Sequence, residues 1–382
     1  MTTLASLLQR HVDAGVLPGA VALITIGDRT EFAAVGRQSL DAATPMTRET
    51  IFRFASLTKA VTAAAALMLL DEGRIALEDP ISRWLPELAD PTVLRTPSGP
   101  LDDVVPAERP ITVRDVLTSQ CGYGWASDFS WPAVQALFPI QKDGRDPQAF
   151  AAPDRYLAAL AELPLLHQPG DGWLYDVSSA LQGILITRVT GQSLPDFLAM
   201  RICAPLGMVD TTFVVPAGQR HRFASYYRHD EDGGLILADA PDGQWSTMPA
   251  FPLGSAGLAG TIDDWLAFSR FLLAGGVARD GVRLLAERSV GLMLTDHTTP
   301  AVRRFGDLFL GGQGWGMGGS VDIAAVEPWN VPGRYGWVGG TGTSGHIVPA
   351  TGSIAVLLTQ VGADSPAPAG ILRDFWGYAA KF

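Results

Sequence analysis

The sequence predicts an α/β protein, α+β in the stricter sense: one sheet assembled from both ends of the chain, flanked by helices, with a mainly helical domain inserted between. Three observations predict it. A β-branched apolar run lies near the N-terminus at Gly19–Ile26, strand-like segments return only after Gly314, and little between Asp79 and Asp210 reads as strand. An early strand needs partners, and the C-terminal strands are the available ones. This assigns residues 1–80 plus 245–382 to the sheet domain and 81–244 to the insertion.

Each element has its own signal. Leu4, Leu7, Leu8 and Val12 recur at helical spacing. Gly19–Ile26 ends at Gly27-Asp28, and Glu31–Gly36 reads as its hairpin partner. Ser56–Glu72 is Ala-rich, free of Pro and Gly, and closed by Gly73, which predicts a helix. A Pro- and Gly-rich region runs from about Asp79 to Pro110. Helices are predicted at Thr112–Thr118, Pro153–Leu163, Ser178–Thr190 and Asp263–Ala274, then short strands near Gly314–Val321, Ser344–Val348 and Gly352–Gln360, and a last helix over Ala369–Ala380.

Of 382 residues, 47% are hydrophobic, enough for a large core and two domains. Lys and Arg number 28 against 39 Asp and Glu, a net charge of −11 without a basic cluster. That field repels phosphate backbones and anionic lipid, so nucleic acid and membrane surfaces are poor partners and a small neutral or cationic molecule suits better. Self-association is compatible with all of this. Cys121 and Cys203 sit in no metal-like spacing and read as reduced, buried thiols. The N-terminus lacks a basic start before an apolar run, and the stretch around Ala60–Leu70 is too short to span a bilayer, which predicts a cytoplasmic protein. No His lies in H-E-x-x-H, so no metal or other cofactor is expected, and no G-x-S-x-G occurs.

The sharpest motif is Ser56-Leu57-Thr58-Lys59 at a helix start. Residues three apart share a helix face, so the Lys59 amine can approach the Ser56 hydroxyl, while the unpaired N–H groups and positive dipole suit an oxyanion. Lys59 is also the only charge before Asp71 on an otherwise apolar helix. A Pro169-Gly170 turn next delivers Tyr175 just before a helix, and Tyr335–Thr343 is Gly-rich between strand-like segments, which permits close backbone approach to a ligand.

In this order the three motifs resemble the class C β-lactamase and penicillin-binding-protein-like serine hydrolases, above all their esterase branch, the family VIII carboxylesterases. Val16–Ala20, Asp115–Ser119, Pro205–Thr212 and Ser255–Asp264 also look like recurrent segments of that group. The resemblance implies a β-lactamase-like antiparallel sheet flanked by helices. It implies Ser56 as acylated nucleophile, Lys59 with Tyr175 as base, and the N–H groups of Ser56 and Gly340 as oxyanion hole. Gly339, Trp337, Tyr123 and Trp125 would bind substrate. Two departures matter: Val177 stands where a Tyr-x-Asn motif has its amide, and Trp337 stands where the third motif opens with Lys or His. A lactam or D-alanyl peptide carries a carboxylate that such a cation would hold, whereas Trp offers an apolar face and one N–H. Short or medium acyl esters are therefore the expected substrates. A β-lactamase, D-aminopeptidase, amide hydrolase or acyltransferase on the same scaffold stays open, as does a silent binding module. Burial is expected to lower the Lys59 pKa.

Overall fold

The computed structural model describes residues 3–382. Its main sheet is antiparallel and seven-stranded: β1 (Gly19–Ile26), β2 (Arg29–Gly36), β3 (Gly314–Trp315), β4 (Ser320–Val321), β5 (Tyr335–Gly339), β6 (Thr343–Val348) and β7 (Ser353–Thr359). The order across the sheet is β2-β1-β7-β6-β5-β4-β3, so the two chain ends join where β1 pairs with β7, with Val21 opposite Leu358.

This central position explains why β1 lacks a polar face. Side chains alternate across a strand. Val21 and Leu23 enter the main core on one side, while Ala20, Ala22 and Ile24 enter a second core on the other. Helices α1 (Leu4–Asp13) and, at the far end of the chain, Gly370–Ala379 close the second core with Leu4, Leu8, Ile371 and Phe375. On the main-core face, Ile262–Leu273 lies so close to β6 that a Cβ at Gly345 would collide with the Trp265 indole.

Two 14-residue helices fill the main core, α2 (Thr58–Asp71) and α3 (Val177–Thr190). Residues Thr58–Leu69 of α2 are all buried, which an all-round apolar sequence requires. Each fully buried Leu there contributes about 1.5–3 kcal/mol relative to exposure.

Several sequence expectations change in detail. The stretch Gly314–Val321 is two short strands joined by the turn Gly316–Gly319, where Gly318 has φ 80°. Tyr335–Gly339 is itself a strand, β5, because its glycines pair with β6 and β4 instead of forming a loop. The helix expected from Ser56 begins with a 3-10 turn, Ala55–Leu57. The middle of the chain is mostly helical but carries small antiparallel pairs at Thr92–Leu94 with Val104–Pro106 and at Tyr226–His229 with Leu235–Asp239. Cys121 and Cys203 are both buried and unpaired. Among the described residues no helix is long and apolar enough to cross a membrane.

Candidate active site

Ser56 lies in the 3-10 turn that feeds α2. The turn requires Ala55 at φ 45°, a left-handed conformation that costs a non-glycine residue about 1–3 kcal/mol. Surrounding chain holds it there. The Phe54 N–H donates to the Leu258 carbonyl at 2.8 Å. The Phe54 and Arg53 carbonyls accept from Thr343 Oγ1 (3.1 Å) and Thr341 Oγ1 (2.6 Å). Residues of the third motif thus fix the backbone that presents the first.

One turn on, Lys59 is 1% exposed. Its Nζ donates to Ser56 Oγ (3.0 Å), Asp176 Oδ1 (2.6 Å) and the Ser255 carbonyl (2.8 Å). Burial opposes the charge, but the Asp176 carboxylate, Tyr175 and their hydrogen bonds outweigh it, so the Lys59 pKa stands above its ordinary 10.5. This reverses the expectation from burial alone; a carboxylate 2.6 Å away was not legible as its partner. A raised pKa means that the stability contributed by the Lys59 proton is fully present below 10.5 and is lost as pH rises through the raised value.

Tyr175 is carried by an antiparallel bridge: its N–H and carbonyl pair with the Trp125 carbonyl and N–H, both at 3.0 Å. Its hydroxyl donates to Ser56 Oγ at 2.8 Å, and its ring stacks on Phe309 at 4.7 Å. Trp337, on β5, donates Nε1–H to the Tyr175 oxygen at 2.9 Å. The indole N–H expected to face substrate is therefore engaged by Tyr175, and the ring is braced edge-on against Trp315 at 4.8 Å. Val177 is fully buried in α3, so the position of the missing amide faces the core.

The Gly339 carbonyl accepts from Gly342 N–H at 2.9 Å. In a trans peptide the next N–H, that of Gly340, points the opposite way. Among the described residues neither Ser56 N–H nor Gly340 N–H donates to a protein acceptor, and both residues line the same cavity. Gly339 abuts Phe54 O and Thr343 Oγ1 so tightly that no Cβ fits.

That cavity has a volume of about 950 Å³, and around Ser56 it is walled by Trp125, Tyr175, Phe309, Trp337 and Gly339. Phe129 and Phe138 extend the aromatic wall outward, Phe138 lying 4.5 Å from Trp125. Tyr123 does not belong to it. It is 4% exposed within the main core, because the chain bends at Gly124 (φ 147°), which packs against Tyr175 O, and the bend turns Tyr123 and Trp125 to different sides. His346 is a β6 residue whose Nδ1 pairs with Ser344 Oγ at 3.1 Å, and burial with Arg334 nearby drives its pKa well down. Burial likewise pushes the Cys121 thiol up to about 11, which leaves it unreactive as a nucleophile. Among the described residues no three His, Cys, Asp or Glu side chains are grouped to hold a metal.

Sequence reasoning missed Asp176, Gln141 and Phe309. A lone lysine on an apolar helix calls for a buried acid, but nothing local marks which of the chain's acids supplies it. Phe309 carries no such signal.

A beta-lactamase family profile matches residues 4–373. Protein Rv1367c of Mycobacterium tuberculosis (strain H37Rv) is 39% identical over 359 residues, covering 91% of this chain and 87% of that protein. Esterase EstB of Burkholderia gladioli is 30% identical over 374 residues, covering 90% and 86%. Among solved structures, EstCE1, described as a hydrolase with promiscuous acyltransferase activity, superposes with a TM-score of 0.81 at 24% identity, over 98% of this chain and 97% of that one. The chain belongs to the beta-lactamase family of penicillin-binding-protein-like serine hydrolases, with an esterase among its relatives.

Proposed function

We propose that the protein is a serine esterase that cleaves short- and medium-chain carboxylic esters through an acyl-Ser56 intermediate. The observation that carries this reading is the convergence of two hydrogen bonds on Ser56 Oγ, from Lys59 at 3.0 Å and Tyr175 at 2.8 Å, at the wall of an aromatic cavity. Ser56 Oγ attacks the acyl carbon, and the oxyanion is received by the N–H groups of Ser56 and Gly340. The C–O bond to the alcohol then breaks. Through the Tyr175 oxygen, the Ser56 proton ends on the leaving alkoxide. Water repeats the sequence on the acyl group and restores Ser56.

Esters are favoured over lactams because no cation opens the third motif. Arg145, whose side chain reaches Gly340, is bonded to Asp143 (2.9 Å) and the Ala363 carbonyl (2.9 Å). Losing a charge-assisted hydrogen bond to a substrate carboxylate costs about 1.5–3 kcal/mol, one to two decades in kcat/KM. The test compares kcat/KM on p-nitrophenyl butyrate with that on a chromogenic cephalosporin. The ester should win by at least tenfold; a cephalosporin value equal or higher would overturn the ester preference.

The cavity continues past the aromatic wall around Ser56 to Phe129, Phe138 and residues 363–369, and this favours a second reading in which an alcohol intercepts the acyl group. Product partition between hydrolysis and alcoholysis in the presence of a bulky alcohol decides between the two.

A further inference from the structure

We infer that Asp176 is a positioning residue that holds Lys59 as an ammonium throughout the catalytic cycle, and that a buried chain of Gln141 and Tyr156 locks Asp176 in that task. The inference rests on the esterase reading for its kinetic part only.

The carboxylate beside the amine and the set of acceptors around it argue for the charged form. Two of the three Lys59 partners, the Asp176 carboxylate and the Ser255 carbonyl, can only accept, and the third, Ser56 Oγ, already takes the Tyr175 hydroxyl proton. With Ser56 Oγ as third acceptor the three protons of an ammonium are all placed, and the carboxylate at 2.6 Å favours that charged form over a neutral amine accepting from Ser56. Behind Asp176, its second oxygen accepts from Gln141 Nε2 at 2.5 Å, and Gln141 Oε1 accepts from the Tyr156 hydroxyl at 2.5 Å. The phenol donation sets which way the amide faces. Lys59, Gln141 and Tyr156 are each 1% exposed and Asp176 is 8% exposed, so the chain is largely shut off from bulk water and meets solvent only where it borders the cavity.

Asp176 also sits at φ 81°, a left-handed conformation that its neighbours must enforce. A glycine would adopt it freely but would leave the cation uncompensated. The ionisable groups facing Lys59 are Asp176 and Tyr175, so removing Asp176 leaves no other carboxylate to balance it. In this account Lys59 supplies a fixed positive charge beside Ser56, and every proton moves through Tyr175.

The chain holds three lysines, Lys59, Lys142 and Lys381, so ε-13C-lysine labelling resolves Lys59 by NMR. In the wild-type protein its signal should remain that of an ammonium from about pH 6 to about pH 10. Asp176→Asn should bring a Lys59 titration into that window and lower kcat at neutral pH by roughly 10²-fold, with the remaining activity rising as pH falls. Tyr156→Phe, which removes only the far end of the chain, should lower kcat a few-fold without changing KM and should shift the Lys59 signal. Three results would overturn the inference: a neutral Lys59 in the wild type at pH ~7, an Asp176→Asn enzyme as active as wild type or more so, or a Tyr156→Phe protein whose Lys59 signal and kcat are unchanged. Fluorophosphonate labelling of the wild type keeps the two readings apart. Failure to label Ser56 would remove the esterase reading, while the NMR titration still reports on Lys59 and Asp176.

Discussion

The two buried helices that deliver the site begin in contrasting ways. Both are 14 residues long, both are buried along most of their length, and a non-glycine residue with positive φ comes shortly before each: Ala55 at 45° and Asp176 at 81°. The strain at Ala55 is held by backbone hydrogen bonds from Leu258 and by threonine hydroxyls of the third motif. The strain at Asp176 is accompanied by side-chain bonds to Lys59 and Gln141. One residue shapes the chain and contributes no chemistry of its own; the other has a conformation and a charge that are both needed. Backbone strain near an active site thus has two separable meanings, and substitution can tell them apart.

The largest effect should come from the groups that both helices exist to present. Ser56→Ala, Lys59→Met and Tyr175→Phe should each lower kcat by about 10³-fold or more, and double substitutions should lose little further, as expected of groups that act as a unit. Near-native turnover in Tyr175→Phe would reduce Tyr175 to a packing role. Next in size, Asp176→Gly should relieve strain yet destabilise the fold by about 3–5 kcal/mol, because an uncompensated buried cation remains. Urea denaturation measures it, and a variant as stable as wild type would show that Lys59 does not need the acid. Trp337→Phe keeps the aromatic wall but removes the N–H that the Tyr175 oxygen accepts. It should lower kcat by the equivalent of about 0.5–1.5 kcal/mol with little change in KM. A change confined to KM would return Trp337 to substrate binding. The smallest effect belongs to Ala55→Gly, which should leave kcat near wild type and raise stability by up to about 1 kcal/mol. If it abolished activity, the two helix starts would not differ as described.

The same contrast explains what the sequence could disclose. The junction at Ser56 was legible because nucleophile and lysine lie within one helical turn, and local spacing fixes which side chains meet. The sheet was legible in outline, since the apolar run of β1 demanded burial and the C-terminal strands were the available partners. The Lys59 counter-ion lies 117 residues away, and no local pattern encodes a contact of that range. The sign of the Lys59 shift was misjudged for this reason: burial can be read from an apolar helix, but a compensating carboxylate comes from the tertiary fold. Tyr123 and Trp125 show a further limit. They are two residues apart around a glycine, and only the backbone of Gly124 decides that one enters the core while the other faces the cavity.

Catalysis as proposed requires an acyl group that resides covalently on Ser56. Stopped-flow release of p-nitrophenol from p-nitrophenyl butyrate, with acid quench and intact mass in the same time window, tests it most directly. A burst approaching one equivalent per chain, with one butyryl group mapped to Ser56 and absent in Ser56→Ala, is the predicted result. Turnover of the same ester by Ser56→Ala at the wild-type rate, or an adduct mapped to another residue, would contradict it.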